Sequence, residues 1–261
     1  MSERPLVTWT AADGVAVITL DNPPRNTLGW RARDELIACL DKAAADEDVR
    51  VVVITGAGER FFCAGAEVTE FPEATKPGKG RALAEQSQHL MRMIDELPKP
   101  TICAINGYAL GAGCLVAIAC DLRIAAENAQ LGLPEIKLGV FPGGGGTQRL
   151  PRLIGESKAK ELLYGGNVID AQEAHRIGLA NRIVATGRAL SEAQELAAQI
   201  ASYSGPAVRE TKEAVHAGRE VSVEASLSLE VDILERVFQR EDALEGFNAF
   251  LEKRPPRFRH R

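Results

Sequence analysis

Val15-Ala16-Val17-Ile18-Thr19-Leu20 is a β-branched run entered from Asp13-Gly14 and closed by Asn22-Pro23-Pro24, which predicts a strand between two turns. The apolar period then changes. Leu36, Ile37, Leu40 and Ala44 recur at helical spacing within 31–45. Val51-Val52-Val53-Ile54-Thr55 follows with no polar face, as expected of a strand covered on both sides. The alternation repeats as a helix over 82–97, a buried strand over 101–105, a buried helix over 112–119 and a strand over 122–125. Such repetition predicts a layered α/β core with crossover connections.

From Gln148 onward the pattern is helical. Helices are expected over 157–164, over 171–177 behind the capping pair Asp170 and Glu173, and over 190–203. Val223, Leu227, Val231, Leu234 and Phe238 line one face of a further helix, and 243–251 forms another. These apolar faces need a partner surface, either their own core or a neighbouring subunit. The Pro-, Gly- and Lys-rich stretch 71–80 reads as a mobile surface loop, and the basic, proline-broken tail 253–261 as a solvated end. Leu133-Pro134-Glu135-Ile136 reads as a lone glutamate in an apolar strand.

A chain of 261 residues, 45% of them hydrophobic, can bury one large core with a smaller helical appendage. Its net charge of −5 argues against a protein built around nucleic acid or a membrane surface. The apolar stretch 115–119 is too short for a bilayer, and Met1-Ser2-Glu3-Arg4 does not open a signal peptide, so a soluble, cytoplasmic protein is expected. Five cysteines without a CxxC pair read as buried free thiols, and four scattered histidines imply no metal.

Three stretches concentrate glycine and small residues beside strand ends: 61–67 (FFCAGAE), 106–114 (NGYALGAGC), and Leu133-Pro134-Glu135 through the Gly143–Gly146 run to Arg149. Small residues admit a ligand to the backbone, and a helix beginning near Gly111 offers unpaired N–H groups at its positive end. Glycines at such turns can equally serve only positive φ or close packing. A nucleotide-phosphate cradle is disfavoured, because the Gly143 run lacks the GxxxxGK[ST] lysine and Gly111-Ala112-Gly113 does not complete GxGxxG.

Taken together, FFCAGAEVTEF from Phe61, CAINGYALGAGC from Cys103, LPEIKLGVFPGGGGTQRLPRLIG from Leu133 and EKRPPR from Glu252 resemble the crotonase superfamily, the enoyl-CoA hydratases and isomerases. The last two strings are especially similar to 3-methylglutaconyl-CoA hydratases. The resemblance implies a crotonase-type ββα spiral core over 1–195 and a helical C-terminal region over 196–261 that assembles a homotrimer or a dimer of trimers. It also implies an acyl-CoA substrate and no cofactor beyond that CoA.

By the same resemblance, the backbone amides of Ala66 and Ala112 hold the thioester carbonyl. Alanine stands at 112 where the family usually has glycine, which keeps the amide. Of the two glutamates that hydratases place around a water, the second aligns with Glu135 and the first with Leu115. Glu67 and Glu70 are not substitutes, since the family has acidic residues at or near both places besides its pair. Gly143 matches a glycine whose amide helps seat the water. Ala64, Val68 and Thr69 match positions that contact CoA, Thr69 replacing a commoner lysine, and Lys253 matches a basic residue that approaches CoA phosphates, often from a neighbouring subunit. Leucine at 115 dries the pocket, which raises the Glu135 pKa, but also removes like-charge repulsion, which lowers it. The expected activity is enoyl-CoA hydration with Glu135 as acid or base. The alternatives are an isomerase shuttling a proton with that single glutamate, and a weakly catalytic acyl-CoA or RNA binder, the last disfavoured by the acidic balance.

Overall fold

The predicted strand at 15–20 forms, but its first partner is a strand the hydrophobic pattern did not announce. In the computed structural model, which describes residues 4–261, Val7–Ala12 (β1) pairs antiparallel with Val15–Leu20 (β2) across Asp13-Gly14. Both turn residues take positive φ, 51° and 82°, as a two-residue hairpin turn requires.

The remaining strands are β3 (Val51–Gly56), β4 (Phe61–Cys63), β5 (Thr101–Ile105), β6 (Tyr108–Leu110), β7 (Leu122–Ala126), β8 (Gln130–Gly132), β9 (Val168–Asp170) and β10 (Arg182–Val184). They divide into a sheet of order β1-β2-β3-β5-β7-β10 and a smaller sheet of order β4-β6-β8-β9. Successive pairs β3–β4, β5–β6 and β7–β8 each give one strand to either sheet, so the chain climbs as a spiral of ββα turns. From β2 to β10 the large sheet is parallel, and β4, β6 and β8 are parallel in the small one.

The helices are α1 (Trp30–Ala45), α2 (Phe71–Ala74), α3 (Lys79–Asp95), α4 (Ala112–Ala119), α5 (Gly146–Ile154), α6 (Glu156–Gly165), α7 (Ala171–Arg176), α8 (Ala189–Ala201), α9 (Gly205–Ala217), α10 (Val223–Phe238) and α11 (Glu241–Leu251). One core packs α1, α3 and α4 through Leu36, Leu40, Leu90, Ile94 and Val116 on the sheet face carrying Ile18, Val52, Ile54 and Cys103. The opposite face, carrying Val51, Val53, Ile102 and Ile124, is covered by Ala189, Ala193, Ala197 and Ala201 of α8. Their spacing of four puts small side chains on one stripe of the helix. β3 is therefore buried at every position, as its unbroken apolar run predicts. Position 195, where the spiral core is expected to give way to the helical region, falls within α8.

Three expectations need correction. The 71–80 stretch carries α2 and the start of α3; Pro72 stands in the first turn of α2, where a missing N–H costs no helical bond. Glu135 is not in a strand but in a 3-10 turn, Pro134–Leu138, which Pro134 starts and Gly139 ends in the left-handed region. The tail is tied down: Arg254 pairs with Glu245 through its two terminal guanidinium nitrogens at 2.6 and 3.0 Å, and the Arg259 and His260 amides donate to Asp242 at 2.7 and 3.0 Å. Charged hydrogen bonds of this kind outweigh the small entropy of a short chain end.

Among the described residues the apolar face of α10 is left largely uncovered, Phe238 alone stacking on Phe247 of α11 at 5.9 Å. Val223, Leu227, Val231, Leu234 and Phe238 are all at least half exposed, as are Leu244, Phe247, Phe250 and Leu251 of α11. Among the described residues no helix is long and apolar enough to cross a membrane.

Candidate active site

The segments after β4, β6 and β8 leave the small sheet side by side. The strands are neighbours, with Cys63 in register with Ala109 and Leu110 with Gly132, so their C-terminal ends lie level. Ligand sites of parallel sheets gather at such ends. Here they bring together Ala64-Gly65-Ala66, Gly111-Ala112 and Leu133-Pro134-Glu135.

Two glycines permit the contact. Gly65 has φ +115°, and a Cβ on it would lie 3.3 Å from the Leu110 carbonyl oxygen and 4.0 Å from the Ala112 nitrogen. Gly111 has φ +51°, and a Cβ there would lie 3.3 Å from Glu135 Oε1 and 3.7 Å from the Gly65 Cα. Side chains rarely adopt either conformation. Gly113 serves packing instead. Any Cβ on it would run into the Cys63 carbonyl oxygen, so its absence lets α4 approach β4.

The Gly65 carbonyl accepts from the Leu28 amide at 2.9 Å in an isolated bridge that pairs Leu28 with Ala66. Ala112 is the first residue of α4, where amides have no intrahelical partner. Among the described residues neither the Ala66 nor the Ala112 amide has a hydrogen-bond partner. These two free donors, one at a helix N-terminus, suit an oxyanion.

The Glu135 carboxyl stands beside them. Its Oε2 is buried and has no partner among the described residues. Burial raises its pKa above the usual glutamate value, and only its own amide pulls the other way. The sign left open by the sequence is thus settled by desolvation. The adjacent Cys114 thiol is pushed up to about 12 by burial and by Glu135, so it stays protonated. Four of the five thiols are buried and Cys39 is half-buried.

No carboxylate stands at position 115. Leu115 is buried, and its methyl groups pack on the glycine loop, with Cδ1 at 2.8 Å and Cδ2 at 2.9 Å from where a Cβ would sit on Gly144 and Gly146. Gly143 follows the buried Pro142, and its carbonyl accepts from Gln88 Nε2 of α3 at 2.9 Å. The other nearby acids are engaged. Glu67 accepts from the Thr69 hydroxyl at 2.9 Å and the Thr27 hydroxyl at 3.2 Å, which, with the Thr69 amide, holds its carboxyl below the usual range. Glu70 accepts from the Trp30 amide at 2.9 Å and pairs with Arg33 at 3.3 Å.

Beside Ala64 lies an open cleft of about 660 Å³ whose walls include Arg25, Arg60, Phe61, Tyr108 and Leu110. The Phe61 and Tyr108 rings stand 5.5 Å apart, and the Arg60 guanidinium lies 5.2 Å from the Phe61 centroid. Of the positions expected to meet CoA, Ala64 lines this cleft, while Val68 is exposed, Thr69 caps onto Glu67, and Lys253 lies past the end of α11 with φ +54°. Arg25, Arg60 and Tyr108 were not anticipated: Arg25 belongs to the turn that ends β2, and no periodicity singles it out.

A two-sheet ββα spiral with its site at the ends of the small sheet's parallel strands is the crotonase fold. The chain belongs to the enoyl-CoA hydratase/isomerase family, whose model matches residues 10–261. It is 46% identical over 247 residues to a probable enoyl-CoA hydratase of Bacillus subtilis, covering 94% of this chain and 95% of that one. A crotonyl-CoA hydratase of Syntrophomonas wolfei is 41% identical, with 94% of each covered. The crystal structure of an enoyl-CoA hydratase from Bacillus anthracis superposes with a TM-score of 0.94 at 41% identity, covering 98% of this chain and 100% of that one.

Proposed function

We propose that the protein adds water to 2-enoyl-CoA thioesters with Glu135 as its single acid–base residue. The observation that carries this reading is the half-buried Glu135 carboxyl, with one buried oxygen left unpartnered, beside two unpartnered amides. The hydratase names of the relatives support it. In this scheme the thioester oxygen sits between the Ala66 and Ala112 amides, which makes the β-carbon electrophilic. The Glu135 carboxylate takes a proton from water, the water oxygen bonds to the β-carbon, and the displaced π electrons move onto the thioester oxygen as an enolate. Glu135 then returns the proton to the α-carbon, so substrate and water are fully accounted for. Removing one such amide donor typically costs ~3 kcal/mol of barrier. The Gly143 amide helps seat the water.

The CoA adenosine and phosphates occupy the cleft beside Ala64, where Arg25 and Arg60 supply positive charge and Tyr108 an aromatic face. The pantetheine arm runs past Val68 and Thr69, and Lys253 reaches the phosphates from a neighbouring subunit in a homotrimer or a dimer of trimers. The CoA belongs to the substrate and no other cofactor takes part. Free thiols suit a reducing compartment, and a cytoplasmic location is part of the proposal.

One observation favours a second reading. The packed hydrocarbon at Leu115 leaves that side without a second acid–base group, as suits an isomerase that moves one proton between α and γ carbons. Incubation with a panel of 2-enoyl-CoAs, branched and straight, and of 3-enoyl-CoAs separates the two. Formation of 3-hydroxyacyl-CoA is expected. Conversion of 3-enoyl to 2-enoyl-CoA with no hydration of any member would establish the isomerase instead.

A further inference from the structure

Ser87 lies on α3 where that helix passes the glycine loop. Its hydroxyl is the group that a Cβ on Gly144 would strike first, and Leu115 Cδ1 reaches the same spot to within 2.8 Å. The Ser87 oxygen and the tip of Leu115 are thus neighbours on one glycine. The next residue, Gln88, fixes the Gly143 carbonyl at 2.9 Å, so α3 and the loop are held together at this point.

The hydroxyl is also free. A serine or threonine within a helix commonly returns its hydroxyl to a carbonyl three or four residues earlier. Ser191, Ser226 and Thr211 do so here, at 3.0, 2.8 and 2.8 Å. Ser87 makes no such bond; among the described residues its half-buried hydroxyl has no partner. A polar group half withdrawn from water and left unpaired beside a site is a group available to a ligand.

We propose that Ser87 holds the attacking water on the side where Leu115 stands, and afterwards holds the β-hydroxyl that this water becomes. The inference rests on the hydratase reading above. A water that gives one proton to Glu135 keeps the other, and that hydrogen needs an acceptor. Leucine offers none, whereas a serine oxygen accepts it without changing its own protonation. Ser87 thereby orients the water lone pair toward the β-carbon and takes no part in the proton transfer.

The test compares wild type, Ser87→Ala and Ser87→Thr in two assays on the same preparations. One is hydration of a 2-enoyl-CoA; the other is exchange of the α-hydrogens of a saturated acyl-CoA in D2O, in which no water adds. Ser87→Ala is expected to lower kcat for hydration about tenfold or more, as loss of one well-placed hydrogen bond does, with KM and the exchange rate kept. Ser87→Thr, which restores a hydroxyl, is expected to recover most of the rate. Hydration by Ser87→Ala at the wild-type kcat overturns the proposal, as does an equal loss in both assays. A wild type that exchanges α-hydrogens but hydrates nothing overturns the hydratase reading itself, and this inference with it.

Discussion

The Glu135 carboxyl is half-buried and has one buried oxygen without a partner, so the folded protein holds its proton more tightly than the unfolded chain does. The sign follows from linkage: stability is fully present below the unfolded glutamate pKa and is lost as pH rises through the higher folded value. Glu135→Gln keeps the shape and removes the ionisation. Its melting temperature is expected to exceed that of wild type at pH 8, with the gap closing toward pH 4. Thermal unfolding across that range checks this, and equal melting temperatures at pH 8 would deny the burial cost. Glutamine cannot exchange a proton, so the more stable variant is also expected to be the inactive one, a trade common at active sites. The glutamate itself was legible in its motif, but the direction of its pKa was not, because it depends on how closely the neighbours pack.

At the scale of elements, the site depends on α4 lying hard against β4 and against the glycine loop. Gly113 and Gly144 are the contact points, and they differ in what a methyl group would meet. At Gly113 it meets the backbone oxygen of Cys63, at Gly144 the ends of Ser87 and Leu115. Side chains can turn aside where a strand carbonyl cannot. Gly113→Ala is expected to destabilise by more than the ~1–3 kcal/mol usual for overpacking, and Gly144→Ala to stay within that range. Denaturant unfolding of both variants reads the difference, and a reversed order would contradict the packing described. The same elements show what could be read in advance. Strands buried on both faces, such as β3 and β5, declared themselves by unbroken apolar runs. The strands that aim the site, β4, β6 and β8, have three residues each, too few for any period to register. Helices α5 and α9 begin at Gly146 and at Gly205-Pro206, residues that signal turns in isolation, while Ser204 caps α9 through the Ala207 amide. The segments 64–66 and 111–112, which motif order alone singles out, nonetheless lie side by side, Gly65 against Gly111, since their meeting depends on strand neighbours and not on element boundaries.

For the whole molecule, the apolar faces of α10 and α11 stand largely uncovered among the described residues. Val231 is 67% and Phe250 83% exposed, within a run of apolar residues too extensive for a solvated surface. Self-association through these helices is expected to bury them, with three or six copies in solution. Val231→Asp combined with Phe250→Asp should shift the mass measured by light scattering toward the single chain, and an unchanged mass would place the interface elsewhere. Such a variant also tests whether Lys253, which follows α11, serves a neighbour's CoA, because KM for the thioester should then rise as the assembly is lost.

The central claim is that one carboxyl, Glu135, moves every proton in the reaction. It is tested most directly by giving wild type and Glu135→Gln a 2-enoyl-CoA in D2O and reading the product by mass spectrometry. Wild type is expected to yield 3-hydroxyacyl-CoA with one deuterium bound to its α-carbon, and Glu135→Gln none above the uncatalysed background. Deuterated product formed by Glu135→Gln at the wild-type rate would contradict it.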